Sequence, residues 1–157
     1  MTGVNSTPLA SGLPIAPGLR VLMLSDVYFP RVNGVSTSIQ TFRAALANLG
    51  IQVTLVAPDY PNSAKGNDER CVMRVPSRAV PGDPEDRLMS LRALHHLDRV
   101  LAGTSFDLVH VQTPFAAHYA SLRLARKRHL PCLATYHTHF EEYLAHYVPL
   151  LPHSWLR

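Results

Sequence analysis

The stretch RVLMLSDVYFPRVNGVSTSIQ, residues 20–40, joins the pattern of a buried strand to the start of a helix. Residues 21–24 are apolar without interruption, which is typical of a strand covered on both faces in a parallel sheet. Pro30 and Asn33-Gly34 are turn residues, and Gly34 tolerates φ > 0. Apolar residues then recur at steps of four and three up to Gly50, at Val35, Ile39, Phe42, Leu46 and Leu49. The stretch therefore predicts a strand, a glycine-bearing loop and a helix.

The loop of this unit is the first candidate binding site. A helix N-terminus presents free N–H groups that hold an anion without a charged side chain, and Gly34 would let the backbone approach that anion. One interpretation is therefore a phosphate or sugar contact at Gly34, Val35 and Ser36. The other is an ordinary turn in which Asn33 or Ser36 caps the helix. Neither G-x-G-x-x-G nor G-x-x-x-x-G-K-[ST] occurs here.

The rest of the chain alternates between strand and helix patterns. Strands are predicted at residues 51–57, 71–75, 106–111 and 131–135, and helices from Leu88 to Gly103 and over residues 115–128, with an amphipathic segment from Phe140. This alternation predicts an α/β fold with a Rossmann-like, doubly wound, mainly parallel sheet. Ligands of such sheets bind beyond the carboxyl ends of the strands, where polar residues follow four of the predicted strands.

Composition points to one globular domain. The 157 residues are 46% hydrophobic and 17% charged, with a net charge of +4. Residues 1–18 carry no side-chain charge and are rich in Pro, Gly, Ser and Thr, so we expect a flexible leader followed by a domain over residues 19–157. No run approaches the length of a membrane span. Cys71 and Cys132 have apolar neighbours, which predicts buried free thiols and a cytoplasmic protein.

Four basic residues lie close together near the end of one predicted helix: Arg123, Arg126, Lys127 and Arg128. Cations at a helix C-terminus interact favourably with the helix dipole, so a solvated helix end explains them. The alternative is that these four residues attract the protein to an anionic membrane surface. Nucleic acid is not expected as a partner, since no recognisable binding module accompanies the cluster.

The triplet His137-Thr138-His139 has three interpretations. Histidines two apart on a strand face the same way, so a metal pair is one. In the second, His137 donates a hydrogen bond to a substrate oxygen. In the third, both histidines are ordinary helix-entry residues. No third ligand is well placed for a metal.

His110 and the aromatic residues near the end of the chain also have competing interpretations. His110 lies in the apolar segment FDLVHVQTP and is expected to be a hydrogen-bonded histidine at the end of a sheet strand rather than a catalyst. Tyr136, Tyr143, Tyr147 and Trp155 form an aromatic series. They would pack in a core or form a docking face, or else form a wall against a lipid or sugar acceptor.

Three segments together resemble one family. RVLMLSDVYFPRVNGVSTSI, FDLVHVQTPF and LATYHTHFEEYLAHY are similar to the N-terminal domain of retaining glycosyltransferases of family 4, which have the GT-B fold. The resemblance runs from about Leu19 to the end of the chain. The Y-H-T-x-F form further resembles members that glycosylate lipids, such as sulfoquinovosyl, glucosyl or mannosyl transferases.

The resemblance implies roles for particular residues. Asn33, Gly34, Val35 and Ser36 would approach the donor diphosphate and the acceptor. His137 would be the active-site histidine that contacts the transferred sugar, flanked by Tyr136 and Thr138 in the substrate site. The donor would be a UDP- or GDP-linked sugar and the acceptor a lipid or a sugar, with peripheral contact at the inner face of the membrane and no metal or other cofactor.

Family members of this type continue into a second domain that binds most of the nucleotide. The sequence ends before such a domain, so we expect this chain to correspond to the incomplete N-terminal half of a GT-B fold. We therefore expect an acceptor-side domain that is inactive alone, because reactants meet in the cleft between domains. The alternatives are a non-catalytic binding module and a metal hydrolase that uses His137 and His139.

Overall fold

The computed structural model describes residues 18–61, 71–80 and 83–137. In chain order the elements are β1 (Arg20–Leu24), α1 (Gly34–Asn48), β2 (Gln52–Pro58), β3 (Val72–Val75), β4 (Ser77–Val80), β5 (Asp83–Met89), α2 (Leu91–Val100), β6 (Leu108–Val111), α3 (Ala116–Arg128) and β7 (Cys132–Ala134). Five strands form one sheet in the order β3-β2-β1-β6-β7, and every pair in it is parallel. The predicted parallel sheet is confirmed.

The central strand β1 separates two apolar cores. Leu22 and Leu24 belong to a core that includes residues of α2 and α3, such as Leu97 and Leu124. Val21 and Met23, whose side chains alternate with those two, belong to a second core with Ile39 of α1. Helices therefore cover both faces of the sheet, as the uninterrupted apolar run of β1 predicted.

A β-hairpin between β3 and α2 was not predicted. Strands β4 and β5 pair antiparallel, with a register shift between Ala79 and Val80. Leu88, which was assigned to the helix, lies in β5 instead. Helix α2 begins only at Leu91, because the side chain of Ser90 accepts a hydrogen bond from the backbone N–H of Ala93 and caps the helix.

Helix α1 ends as predicted but is less buried than its pattern suggested. Gly50 has φ 74°, and its N–H donates to the carbonyl of Ala47 at 2.9 Å. Phe42 and Leu49, however, are exposed. The core beneath α1 contains no residue of another helix among the described residues, so α1 buries only the side that faces the sheet.

The prediction of two buried cysteines is wrong. Cys71 and Cys132 are both free and exposed. Cys71 directly precedes β3 and Cys132 begins β7, which are the two outer strands of the sheet. An outer strand has a neighbour on one side only, so apolar neighbours in sequence do not ensure burial.

Candidate functional site

The carboxyl ends of β1, β6 and β7 lie side by side at one edge of the sheet. Asp26 follows β1, Gln112 and Thr113 follow β6, and His137 follows β7. Hydrogen bonds join neighbouring segments, from the Thr113 hydroxyl to Asp26 Oδ2 at 2.7 Å and from His137 Nε2 to Gln112 Oε1 at 2.8 Å. This edge is where parallel sheets of this type bind their ligands.

The loop after β1 leads into the exposed N-terminus of α1. Asn33 is the N-cap, and its Oδ1 accepts a hydrogen bond from the N–H of Ser36 at 2.8 Å. Gly34 is the first helical residue, is exposed, and does not have positive φ. A Cβ atom at Gly34 would meet nothing within 4 Å. Gly34 thus has open space around it and an unstrained backbone, and the tolerance of φ > 0 that glycine offers is not used here.

Ser36 and Val35 differ in how they could reach a ligand. The Ser36 side chain is fully buried, and its hydroxyl has no hydrogen-bond partner among the described residues. Its N–H is already taken by Asn33. Val35 is half-buried against the core beneath α1. The N–H groups of the first turn that remain for a ligand are those of Gly34 and Val35, since a helix supplies no acceptor for them.

The histidine triplet is described only in part. Tyr136 is 70% exposed, and His137 is half-buried. Burial lowers the pKa of His137, so its ring is neutral at neutral pH. Thr138 and His139 lie outside the described residues. Among those that are described, no three His, Cys, Asp or Glu side chains lie close enough together to hold a metal ion.

The hydrogen-bonded position predicted for His110 is confirmed. The residue is 4% exposed, and its Nε2 lies 2.8 Å from the Thr135 hydroxyl and 3.0 Å from Gln112 Nε2. Burial and the nearby His137 both lower the pKa of His110. It is therefore a neutral, hydrogen-bonded histidine inside the sheet edge.

Asp26 has a role that was not predicted. Both carboxylate oxygens of Asp26 accept from the N–H of Ala117 at 3.1 Å. Asp26 therefore caps α3 from another part of the chain. Phe115, at the N-cap position of α3, makes no side-chain hydrogen bond to the helix. Burial raises the pKa of Asp26 to about 6, although hydrogen bonds from Thr113 and the α3 backbone oppose the shift. The sequence signal was an acidic residue directly after a buried strand.

Arg31 anchors the loop after β1 to the hairpin. It forms ion pairs with Asp83, Glu85 and Asp86, all in β5. Its side chain is largely shielded from solvent, which strengthens such pairs relative to fully exposed ones. The acidic strand β5 thereby restrains the loop that leads to Asn33 and Gly34.

The basic cluster of α3 holds two helices together. Arg128 Nε and Lys127 Nζ each lie 2.6 Å from a carboxylate oxygen of Asp98 in α2, and these hydrogen bonds lower the pKa of Asp98. Arg123 donates to the carbonyl of Leu94 at 2.6 Å. Three of the four cations thus bind α2, a role that neither sequence interpretation included. No helix in the described part of the chain has the length and apolarity to cross a bilayer.

Comparison with known proteins identifies relatives among glycosyltransferases. The alpha-monoglucosyldiacylglycerol synthase of Streptococcus pneumoniae is 30% identical over 131 residues, which cover 83% of this chain and 29% of that enzyme. The GDP-mannose-dependent alpha-mannosyltransferase of Mycobacterium tuberculosis is 30% identical over 155 residues, covering 89% of this chain and 39% of that enzyme. The chain thus spans about a third of the length of the curated relatives it matches.

A solved structure with a similar fold is the C-terminal domain of a hydrogenase from Pyrococcus furiosus. It has a TM-score of 0.51 and 16% identity, and the match covers 82% of this chain and all of that one. At this identity the likeness concerns the fold alone. The family profile described as Glycosyltransferase Family 4 matches residues 32–157, which include both α1 and His137. The chain therefore belongs to glycosyltransferase family 4.

Proposed function

We propose that this chain is the acceptor-side domain of a retaining glycosyltransferase that moves a sugar from a UDP- or GDP-linked donor to a lipid or sugar acceptor. The observation that carries the proposal is the shared sheet edge of a family 4 chain, where the open helix start at Gly34 follows β1 and His137 follows β7. An anion site and a neutral imidazole at one edge suit a reaction whose leaving group is a diphosphate.

The N-terminus of α1 would stabilise the charge of that diphosphate. The N–H groups of Gly34 and Val35 point out of the first turn, and the helix dipole adds positive potential there. The Ser36 N–H already donates to Asn33 Oδ1, and this hydrogen bond fixes the direction of the first turn. Ser36 would then support the site from the core rather than contact the donor through its side chain. Because the leaving diphosphate gains charge in the transition state, these dipoles would favour the transition state over bound donor.

His137 would contact the transferred sugar beside this anion site. Its ring is half-buried and neutral, which suits a hydrogen bond to a hydroxyl group more than proton transfer. Tyr136 is exposed next to it and could stack on an apolar or sugar acceptor. We assign Thr138 to the same substrate site from its place in the family motif.

The domain would work with a second, donor-binding domain. Residues 1–18 would be a leader and residues 19–157 the acceptor-side domain. The relatives named above are about three times longer than the matched region, which leaves room for such a domain in a complete enzyme. Catalysis by positioning requires both reactants in one cleft, so the 157-residue chain alone would not transfer sugar.

A lipid acceptor is supported by the Streptococcus pneumoniae relative, an alpha-monoglucosyldiacylglycerol synthase. The exposed side chains of Leu88 and Leu91, beside Arg92, offer apolar and cationic groups for peripheral contact at the inner face of the membrane. Sedimentation with phosphatidylglycerol vesicles, but not with phosphatidylcholine vesicles, is expected. Leu91→Ser should weaken it.

The test is turnover of UDP- and GDP-sugars with lipid and sugar acceptors. The chain alone is compared with the chain joined to its donor-binding domain, each with His137 intact and as His137→Ala. Transfer only by the completed protein, suppressed in His137→Ala, is the expected result. A completed protein that is folded but inactive with every donor would instead support a non-catalytic binding module.

A further inference from the structure

A line of hydrogen bonds runs from Thr135, directly after β7, through the end of β6 to His137. Thr135 Oγ1 lies 2.8 Å from His110 Nε2, and Gln112 Nε2 donates to the same His110 nitrogen at 3.0 Å. On its other side, Gln112 Oε1 accepts from His137 Nε2 at 2.8 Å. The carboxamide of Gln112 therefore bridges the two imidazole rings.

This bridge is buried and packed. Gln112 is 1% exposed and His110 is 4% exposed, so an unpaired polar atom in either side chain would carry a large desolvation cost. Phe42 of α1 packs edge-on against the His110 ring, with 6.0 Å between ring centroids. Burial lowers the pKa of both histidines, so the two rings are neutral together.

The polarity of the carboxamide determines which nitrogen of His137 carries the proton. Its NH2 group faces His110, which must accept through Nε2, and its oxygen faces His137, which must donate through Nε2. A neutral imidazole that donates through Nε2 has an unprotonated Nδ1. Among the described residues Nδ1 of His137 has no hydrogen-bond partner.

We propose that Gln112 is a positioning residue that fixes the tautomer and orientation of His137, so that His137 Nδ1 accepts a hydrogen bond from a hydroxyl of the transferred sugar. The proposal rests on the proposed function for the sugar contact. It reverses the expected direction of that contact, since the ring accepts from the substrate and does not donate to it. On the other side of the carboxamide, His110 Nε2 accepts from Gln112 Nε2.

The first test is the protonation of His137 in the 157-residue chain. Nitrogen-15 NMR of histidine-labelled protein above neutral pH distinguishes the two tautomers, and His137→Asn assigns the signal. We expect wild-type His137 to be protonated at Nε2. A ring protonated at Nδ1, or a mixture of both forms, overturns the proposal without need of a Gln112 variant.

Two substitutions then test the role of Gln112. Gln112→Met keeps the volume but removes both hydrogen bonds, so His137 should shift toward the tautomer mixture of a free imidazole. Gln112→Glu keeps an acceptor for His137, so the Nε2 proton should remain and the pKa of His137 should rise by about 1 unit or more. Gln40→Met, at an exposed position of α1, is the matched control and should change neither property. An unchanged tautomer in folded Gln112→Met refutes the positioning role.

The last readout separates this proposal from the proposed function. In the completed transferase we expect Gln112→Met to lower kcat by about 10- to 100-fold with little change in KM, because it misplaces a group that is otherwise present. Unchanged kcat in that variant overturns the catalytic part of the proposal. If wild-type enzyme transfers no sugar while His137 still shows the tautomer set by Gln112, the proposed function fails and the tautomer assignment stands.

Discussion

Replacing Gly34 with alanine separates a structural requirement for glycine from a ligand requirement. Gly34 is the first residue of α1, follows the N-cap Asn33, and does not have positive φ. A Cβ atom built there meets nothing within 4 Å. Nothing in the described part of the fold therefore needs a glycine at this position. If the site binds a diphosphate, the missing side chain is what lets the ligand reach the N–H groups.

The expected effects on stability and on function have opposite signs. An alanine restricts the unfolded chain and favours helix, so Gly34→Ala should stabilise the domain by about 0.5 kcal/mol. For a chain of 157 residues this corresponds to a rise in Tm of about 1 to 2 °C. The added methyl group would lie where the diphosphate approaches, so donor affinity should fall. A tenfold fall would correspond to about 1.4 kcal/mol of binding free energy.

Thermal unfolding of the 157-residue chain measures the first effect, and donor binding and turnover by the completed enzyme measure the second. Gly103→Ala is the matched control, since Gly103 also has open space around it and does not have positive φ. It should leave donor binding unchanged. Wild-type donor affinity in Gly34→Ala would refute the assignment of the helix start to the diphosphate. A large loss of stability would refute the reasoning about open space.

Three further predictions concern the rest of the described structure. The raised pKa of Asp26 means that its contribution to stability is complete below its ordinary pKa of 3.8 and is lost as pH rises through about 6. The free energy of unfolding, measured in urea for wild type and Asp26→Asn, should fall with rising pH by up to about 3 kcal/mol more in the wild type. Parallel pH curves for the two proteins would contradict the burial of this carboxyl. Leu124→Ala should cost about 2 to 5 kcal/mol because the side chain is buried, whereas Leu91→Ala at a 73% exposed position should cost less than about 0.5 kcal/mol. Both Cys71 and Cys132 should react with a thiol reagent in the native protein, and a thiol that reacts only after unfolding would contradict its exposure.

Much of the fold was predictable because its signals are local. The apolar run of β1 and the helical spacing before Gly50 each depend on a few consecutive residues, and both elements were found close to their predicted bounds. The hairpin was missed because proline is usually unfavourable within strands, whereas β5 includes Pro84 and β4 begins directly after Pro76. The exposed cysteines were missed because the position of a strand at the edge of a sheet depends on strand order.

The candidate site divides in the same way. The residues that follow the strands, and the place of Gly34 and His137 in family motifs, could be read from the sequence alone. The partners of those residues could not, because the hydrogen bonds of the site join residues far apart in the chain. Thr113 lies 87 residues from Asp26, and His137 lies 25 residues from Gln112. The order of the parallel strands alone makes them neighbours, and burial between them sets the protonation of Asp26 and His137.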